Sequence, residues 1–249
     1  MKQLIALCTI ALLLLSCNED NDEMDTAYGS LNLVFENTVA SSPLTLNTQT
    51  YANLSGEGYS VSELKYIISN IQLTRSDNTV HTIPVDRSYF VINEAGTKTA
   101  LLDSIPVGDY TGINFGFGVD PTRYPIESGS VNFIPTAEEA GMLWTWSAGY
   151  KFLKFEGTYS TTVDTDDANP FTYHVGSHGA NLDNYKEINL AFAKAVTAST
   201  TTTQTINFDV AKIFDSTNTM SLVAKDDIQV DPENAPKIAE NVRTAFSIE

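Results

Sequence analysis

From residue 28 onward, hydrophobic and polar positions alternate over short stretches, a pattern typical of β-strands. The stretch 30–36 (SLNLVFE) alternates imperfectly, and the longer stretch 60–74 is rich in β-branched and aromatic residues, which favours an extended strand. Further strands are predicted at 80–85, 89–92, 109–119, 150–159, 171–175, 187–193 and 205–210. Turn-forming pairs such as Asp120-Pro121 and Asn169-Pro170 separate them. Many short strands at this spacing predict an all-β fold, an antiparallel β-sandwich or barrel.

Helical patterns are scarce. The stretch 136–142 (TAEEAGM) predicts a short helix with Thr136 as its N-cap. Near the C-terminus, Ile238, Val242 and Phe246 recur every four residues, which places them on one face of a short terminal helix. The threonine-rich stretch 195–204 is interpreted as a loop or a strand edge.

Composition and charge limit the classes of protein and partner. The chain has 249 residues, of which 42% are hydrophobic, enough to build a sizeable core. Acidic residues outnumber basic ones 31 to 14, and a net charge of −17 repels phosphate, so no nucleic-acid partner is expected. No internal repeat or linker divides the chain, so we expect a single domain over residues 28–249.

The N-terminus has the pattern of a lipoprotein signal peptide. A basic start is followed by the apolar run 4–15, which is too short to span a membrane but suits a signal peptide. It ends in Leu14-Leu15-Ser16-Cys17, which resembles a bacterial lipobox and predicts cleavage before a lipidated Cys17. The acidic stretch 18–27 is predicted to be a tether. We therefore expect an outer-membrane lipoprotein, on the cell surface or the periplasmic face, with the lipid as its membrane contact.

Cysteine and histidine are few enough to weigh individually. The second cysteine, Cys8, lies within the signal peptide, so the mature fold has no disulfide and no thiolate metal site. His81 lies in a strand-like stretch and is interpreted as a surface or edge residue. On a straight strand, His174 and His178 would share a face about 13 Å apart, too far to bind one ion. Spacing alone favours structural roles for the two histidines. If the chain folds back at Gly176 and Gly179, both imidazoles could bind one copper, zinc, iron or nickel ion.

Both tryptophans of the chain lie in one aromatic segment. Trp144 and Trp146 are two residues apart, which on an extended chain places them on one face, close to Met142. They form either an aromatic core layer or a pair that lines a pocket for sugar or a metal. The stretch 164–169 has the oxygen-rich alternation of a calcium loop, but it lacks the glycine and the closing glutamate, which favours a solvated turn. No nucleophile elbow or phosphate-binding loop is present.

Several ordered motifs resemble the MbnP-like family of copper-binding proteins. The resemblance spans about residues 28 to 215 and is most specific in MLWTW and GYKFLK, followed by FTYHVG. The segments that carry it are 31–35, 59–73, 106–110, 115–120, 142–146, 149–154, 171–176, 208–210 and 212–214.

The resemblance implies a β-sandwich that binds copper in the cell envelope. In related proteins a tryptophan is oxidised to kynurenine and joins two histidines around Cu(I), and a di-haem enzyme of the cytochrome c peroxidase type performs the oxidation. By position, His174 matches the histidine of FTYHVG, and Trp144 or Trp146 matches the tryptophan region. The expected Trp-x-His reads Trp-Thr-Trp here, so His178 or Met142 would replace the missing ligand.

The sequence thus predicts a non-catalytic copper-binding lipoprotein with an all-β sandwich fold. Its expected Cu(I) ligands are His174, His178 and Met142, since Cu(I) accepts imidazole and thioether. The alternatives are a surface carbohydrate-binding lipoprotein, in which Trp144 and Trp146 stack on sugars, and a structural surface module without a ligand.

Overall fold

The computed structural model describes residues 27–123, 134–144, 149–165, 167–177 and 182–249. The strands in these ranges are β1 Tyr28–Val39, β2 Ser42–Pro43, β3 Tyr51–Ala52, β4 Gly58–Arg75, β5 Val80–Thr82, β6 Phe90–Asn93, β7 Thr99–Pro106, β8 Gly108–Phe117, β9 Lys151–Ser160, β10 Asn169–Gly176, β11 Lys186–Val196, β12 Thr201–Asp209, β13 Asp227–Gln229 and β14 Phe246–Ile248. The α-helices are α1 Ile134–Glu139 and α2 Ala235–Arg243, and 3-10 turns lie at Val85–Arg87, Pro121–Arg123 and Val210–Ile213.

The strands form two sheets. The smaller sheet has the order β14-β12-β1-β2, and β7 also pairs with β1. The larger sheet has the order β11-β8-β4-β9-β10-β13, and β3, β5 and β6 also pair with β4. The predicted all-β sandwich is confirmed. Most pairs are antiparallel, but β1 pairs with β12 and β10 pairs with β13 in parallel, so both sheets are mixed.

An aromatic layer holds the two sheets together. Phe35 of β1, Phe208 of β12 and Phe246 of β14 belong to the smaller sheet, and their rings meet Tyr66 and Phe115 of the larger sheet. Ring centroids across this interface are 4.8–6.3 Å apart, the range of favourable tilted and edge-to-face contacts. The alternation read from 30–36 produces this layer, since Leu31, Leu33 and Phe35 of β1 are wholly buried.

A second aromatic group fixes the orientation of β9 and β10. Phe155 of β9 and Phe171 and Tyr173 of β10 pack around Phe214, with ring centroids 5.6–6.3 Å from its ring. Because successive side chains on a strand point to opposite faces, residues 156 and 174 point away from this core. The core therefore determines which polar side chains occupy the outer face of these two strands.

The helices agree with the prediction except at their ends. The terminal helix is confirmed as α2, which buries Ile238 and Val242. Phe246 is not on its face, because α2 ends at Arg243 and Phe246 begins β14, where it pairs with Phe208 of β12. The prediction of Thr136 as an N-cap is wrong. Helix α1 begins two residues earlier at Ile134, and Pro135 suits its first turn because a proline there loses no helical hydrogen bond.

Strand boundaries differ most where the sequence carries little hydrophobic pattern. The stretch 195–204 is mainly strand, because β11 runs to Val196 and β12 begins at Thr201. The β-branched threonines 201–203 suit β12. The predicted strand at 80–85 ends at Thr82, before Pro84 and a 3-10 turn. Strand β7 was not predicted. The predicted signal peptide and most of the predicted tether lie outside the described residues, and no helix within the described ranges is long and apolar enough to span a membrane.

Candidate metal centre

A hairpin carries the tryptophan region to the end of β10. The Lys151 amide donates to the Met142 carbonyl at 2.8 Å, and the Trp144 amide donates to the Gly149 carbonyl at 3.2 Å. Ser177, directly after β10, donates its amide to the Tyr150 carbonyl at 3.1 Å. Three extended segments therefore lie side by side. Trp146 is outside the described residues.

Trp144 packs against the glycine that lies midway between the two candidate histidines. A Cβ on Gly176 would lie 2.8 Å from Trp144 Cη2, and one on Gly149 would lie 3.3 Å from Cε3, so both positions leave room for the indole. The buried Asn184 donates its side-chain amide to the Gly176 carbonyl at 2.8 Å and holds this glycine in place. Gly176 is two residues from His174 and two from His178. Trp144 thus contacts the segment that bears both imidazoles.

Trp144 is only 4% exposed. A sugar-binding tryptophan needs an open ring face on which the sugar stacks. Buried against Gly149 and Gly176, Trp144 offers no such face, so it gives no support to the carbohydrate-binding alternative.

His174 points to the outer face of the larger sheet, where polar partners surround its ring. The side chain is only 8% exposed. Its Nε2 lies 2.7 Å from Glu156 Oε1 of β9, and its Nδ1 lies 3.3 Å from Gln229 Oε1 of β13. Burial lowers the pKa of His174 below its ordinary value, and the charges of Lys151 and Lys154 act in the same direction, whereas the Glu156 hydrogen bond opposes them. The imidazole is therefore neutral at pH 7, the state in which histidine binds a metal.

A row of alternating charges continues from Glu156 across the sheet. Glu156 Oε1 lies 3.3 Å from Lys154 Nζ, and Lys154 Nζ lies 2.5 Å from Glu63 Oε2 of β4. The other oxygen of Glu63 lies 2.7 Å from Lys65 Nζ. Burial alone would lower the pKa of Lys154, but the hydrogen bond to Glu63 and the charge of Glu156 raise it above its ordinary value. Lys154 therefore stays charged, and its contact limits the movement of Glu156.

Met142 lies two residues before Trp144 and is wholly buried among core side chains. Its amide donates to the Ala137 carbonyl of α1 at 2.7 Å, which ties the hairpin to that helix. Its thioether is chemically suited to Cu(I), a soft ion. In the described structure Met142 belongs to the core, as a packing residue.

The described part of the chain contains no group of three His, Cys, Asp or Glu side chains that could hold a metal. His178 and Cys17 lie outside the described residues. His81 is on β5, paired with Leu73, and burial together with Arg75 and Arg87 lowers its pKa. The donors therefore fit copper in part: His174 supplies a neutral imidazole two residues before Gly176, which Trp144 contacts, and a complete set requires His178 or a further donor.

The acidic stretch 164–169 connects β9 to β10. Asp164, Thr165 and Asp167 are exposed. Asp167 Oδ2 accepts hydrogen bonds from the Thr161 amide at 3.2 Å and from the Asn169 side chain at 3.1 Å. The carboxylate of Asp167 thus stabilises the turn itself, which agrees with the solvated-turn interpretation.

The model of the MbnP family matches residues 28–234 of the sequence. The chain belongs to the MbnP family. Its fold is similar to that of MbnP from Methylosinus trichosporium, with a TM-score of 0.54 and 13% sequence identity over 77% of this chain and 79% of that one. Among curated proteins, none matches the sequence. The similarity to the Methylosinus MbnP, at this identity, concerns the fold.

Sequence reasoning missed the partners of His174. Glu156 and Gln229 contact the imidazole from the two neighbouring strands, at separations of 18 and 55 residues. Only the register of β9, β10 and β13 brings them together. The one available signal was the alternation around Glu156, which places it on the face opposite the buried Phe155.

Proposed function

We propose that this MbnP-family protein binds copper in the cell envelope and performs no turnover of its own. The observation that supports this most is the contact of Trp144 with Gly176, between His174 and His178, in a chain whose family membership is shown. A neutral, nearly buried imidazole at that position is a good ligand for a soft or borderline ion.

The proposed ligands are His174 and His178, with Met142 as the third candidate. When bound, Cu(I) would supply redox chemistry or be carried as cargo. The protein's own residues position the imidazole, limit access of water and hold the hairpin against β10. The acidic surface attracts cations in general, so selectivity for copper must come from nitrogen and sulfur donors.

We also propose that Trp144 or Trp146 is the substrate of a di-haem oxidase of the cytochrome c peroxidase type, which would convert the indole to kynurenine. The described residues support Trp144 as a candidate, because its ring lies against Gly176. The conversion would remove four electrons from the indole: its C2–C3 bond breaks, three oxygen atoms enter from water, and C2 leaves as formic acid. Two equivalents of hydrogen peroxide, reduced to water at the haems of the oxidase, would accept the four electrons.

The test is the analysis of protein isolated from its native membrane. We expect copper in the purified protein, measured by elemental analysis, and the kynurenine mass on a peptide that contains Trp144 or Trp146. Protein produced without the oxidase, the matched control, should carry both tryptophans intact. Copper-loaded native protein with two intact tryptophans would reject the oxidation and leave the histidines to hold the metal. Native protein without copper would contradict the proposed function.

We propose that Cys17 anchors the protein to the outer membrane. Replacing it, in Cys17→Ser, removes the sulfur that would carry the lipid, so the protein should leave the membrane fraction or accumulate unprocessed. Cys8→Ser is the control, because this residue lies within the predicted signal peptide and should not affect fractionation. Immunoblots of membrane and soluble fractions measure both. Unchanged fractionation of Cys17→Ser would remove the lipoprotein assignment.

A further inference from the structure

The His174 ring lies between two oxygen atoms, and the two contacts are unequal. Glu156 Oε1 is 2.7 Å from Nε2, the distance of a strong charge-assisted hydrogen bond. Gln229 Oε1 is 3.3 Å from Nδ1, at the long end of the range for a hydrogen bond. A neutral imidazole has one N–H group and one lone pair. It can donate to only one of these oxygens.

The shorter contact identifies the nitrogen that carries the hydrogen. Without a hydrogen on Nε2, its lone pair would face a carboxylate at 2.7 Å, an arrangement of two acceptors that repel each other. With the hydrogen there, the lone pair is on Nδ1. Histidines that bind metals commonly donate their second ring N–H to a carboxylate in this way, which fixes the tautomer and the ring orientation.

We propose that Glu156 is the positioning residue of the copper site: it holds the N–H group of His174 on Nε2 and thereby presents Nδ1 to the metal. This inference rests on the proposed function for the identity of the metal. The orientation itself rests on the contacts in the metal-free protein.

Glu156 is well held for this role. Lys154 lies 3.3 Å from the same oxygen that contacts His174, and Lys154 is in turn fixed by Glu63. On the same strand, Phe155 is buried in the core, which keeps the neighbouring Glu156 on the outer face. The carboxylate therefore has little freedom to leave the imidazole.

Gln229 does not block Nδ1. It is the last residue of β13, a short strand at the edge of the larger sheet, and its side chain is exposed. Its Nε2 donates to Asp227 Oδ1 at 3.0 Å, which turns Oε1 toward the imidazole. The carboxamide can rotate away from Nδ1 without disturbing the core and so make room for a metal.

The first test uses the metal-free mature chain. Long-range nitrogen–proton NMR spectra distinguish the two neutral tautomers of histidine, and only three histidines contribute signals. His174 is assigned with a His174→Gln variant. We expect the Nε2–H pattern for His174, and an Nδ1–H pattern would overturn the proposal. Because Cu(I) is diamagnetic, the same spectrum of copper-loaded protein should show the larger shift at Nδ1.

The second test changes the acceptor. In Glu156→Leu the remaining acceptor near the ring is Gln229, so the hydrogen should move to Nδ1, and Cu(I) affinity should fall about 10- to 100-fold, the range for loss of an orienting carboxylate. Glu156→Gln keeps the shape and an acceptor oxygen and should retain more of the Nε2–H form. The matched control is Glu187→Leu, the same change at an exposed carboxylate on β11, at the opposite edge of the larger sheet and outside this charged row, which should leave the tautomer of His174 unchanged. Circular dichroism checks that each variant folds.

The outcomes separate this proposal from the proposed function. Wild type with the Nε2–H tautomer and no copper uptake would contradict copper binding and leave the orienting contact standing. Copper binding that is equally strong in wild type and Glu156→Leu, with an unchanged tautomer, would overturn the role of Glu156 while copper binding stands.

Discussion

Replacing His174 with alanine lowers the Cu(I) affinity of the chain by about 100-fold or more, because among the described residues no other imidazole lies on β10, the strand that Trp144 contacts at Gly176. The His174 side chain is nearly buried and is oriented by Glu156, so the substitution removes a pre-positioned ligand. A mobile ligand on the surface would be replaced more easily by another side chain. The affinity is measured by competition with a chromogenic Cu(I) chelator under reducing conditions.

His81→Ala is the matched control for this change. His81 lies on β5, away from β10 and Trp144, and its pairing partner is Leu73 of β4. Its replacement should leave the affinity within about twofold of the wild type. Because His174→Ala also removes a buried hydrogen bond, thermal unfolding must show that the variant is folded at the temperature of the titration. Equal Cu(I) binding by the wild type and a folded His174→Ala would place the metal elsewhere.

The second large effect concerns stability. Glu57, just before β4, is only 2% exposed, and its carboxylate accepts four hydrogen bonds. The donors are Asn53 Nδ2 at 2.6 Å, Ser221 Oγ at 2.6 Å, and the amides of Leu222 at 2.8 Å and Val223 at 2.9 Å. Glu57→Ala leaves these donors, two of which belong to the buried residues Asn53 and Leu222, without an acceptor, so we expect the free energy of unfolding to fall by about 3–5 kcal/mol.

Chemical denaturation measures this change. Glu36→Ala is the control, since Glu36 is exposed on β1 and its loss should alter stability by about 0.5 kcal/mol at most. A loss below about 1 kcal/mol for Glu57→Ala would show that the 221–223 loop does not depend on this carboxylate.

The Glu57 network also predicts a dependence on pH. Burial alone would raise the pKa of Glu57, but the hydrogen bonds from Ser221, Asn53 and the two backbone amides lower it below the ordinary 4.5. The carboxylate therefore contributes its full stability above pH 4.5, and this contribution is lost as the pH falls through the lower pKa of the folded state. Over that range, the difference in stability between the wild type and Glu57→Gln should shrink.

The sequence was sufficient for the fold class because hydrophobic alternation is a local property. The wholly buried Leu31, Leu33 and Phe35 follow the alternation, and the spacing of Ile238 and Val242 predicted α2. Strand β7 was missed, and the two parallel pairings were not predictable, because pairing between distant strands depends on tertiary packing that no short window contains. The end of α2 was predicted too late for a similar reason. The spacing of Phe246 fits the apolar face of the helix, but in the structure Phe246 forms a strand that pairs with β12.

The candidate site was only partly predictable. FTYHVG and MLWTW pointed to His174 and Trp144, and the structure brings their segments into contact through Gly176. Glu156 and Gln229 could not be found, since their contacts with the imidazole follow from strand register. The sequence also could not decide whether Trp144 is buried, because two tryptophans at this spacing fit a core layer and a pocket equally well.

Whether the chain binds copper is decided by a Cu(I) titration of the wild-type protein, produced from residue 18 onward. The protein is titrated anaerobically with Cu(I) in the presence of a chromogenic chelator, and the absorbance reports how much metal the protein withholds. We expect one Cu(I) per chain to be withheld from the chelator. If the chelator takes up all of the added copper, as it does with no protein present, the chain does not bind Cu(I).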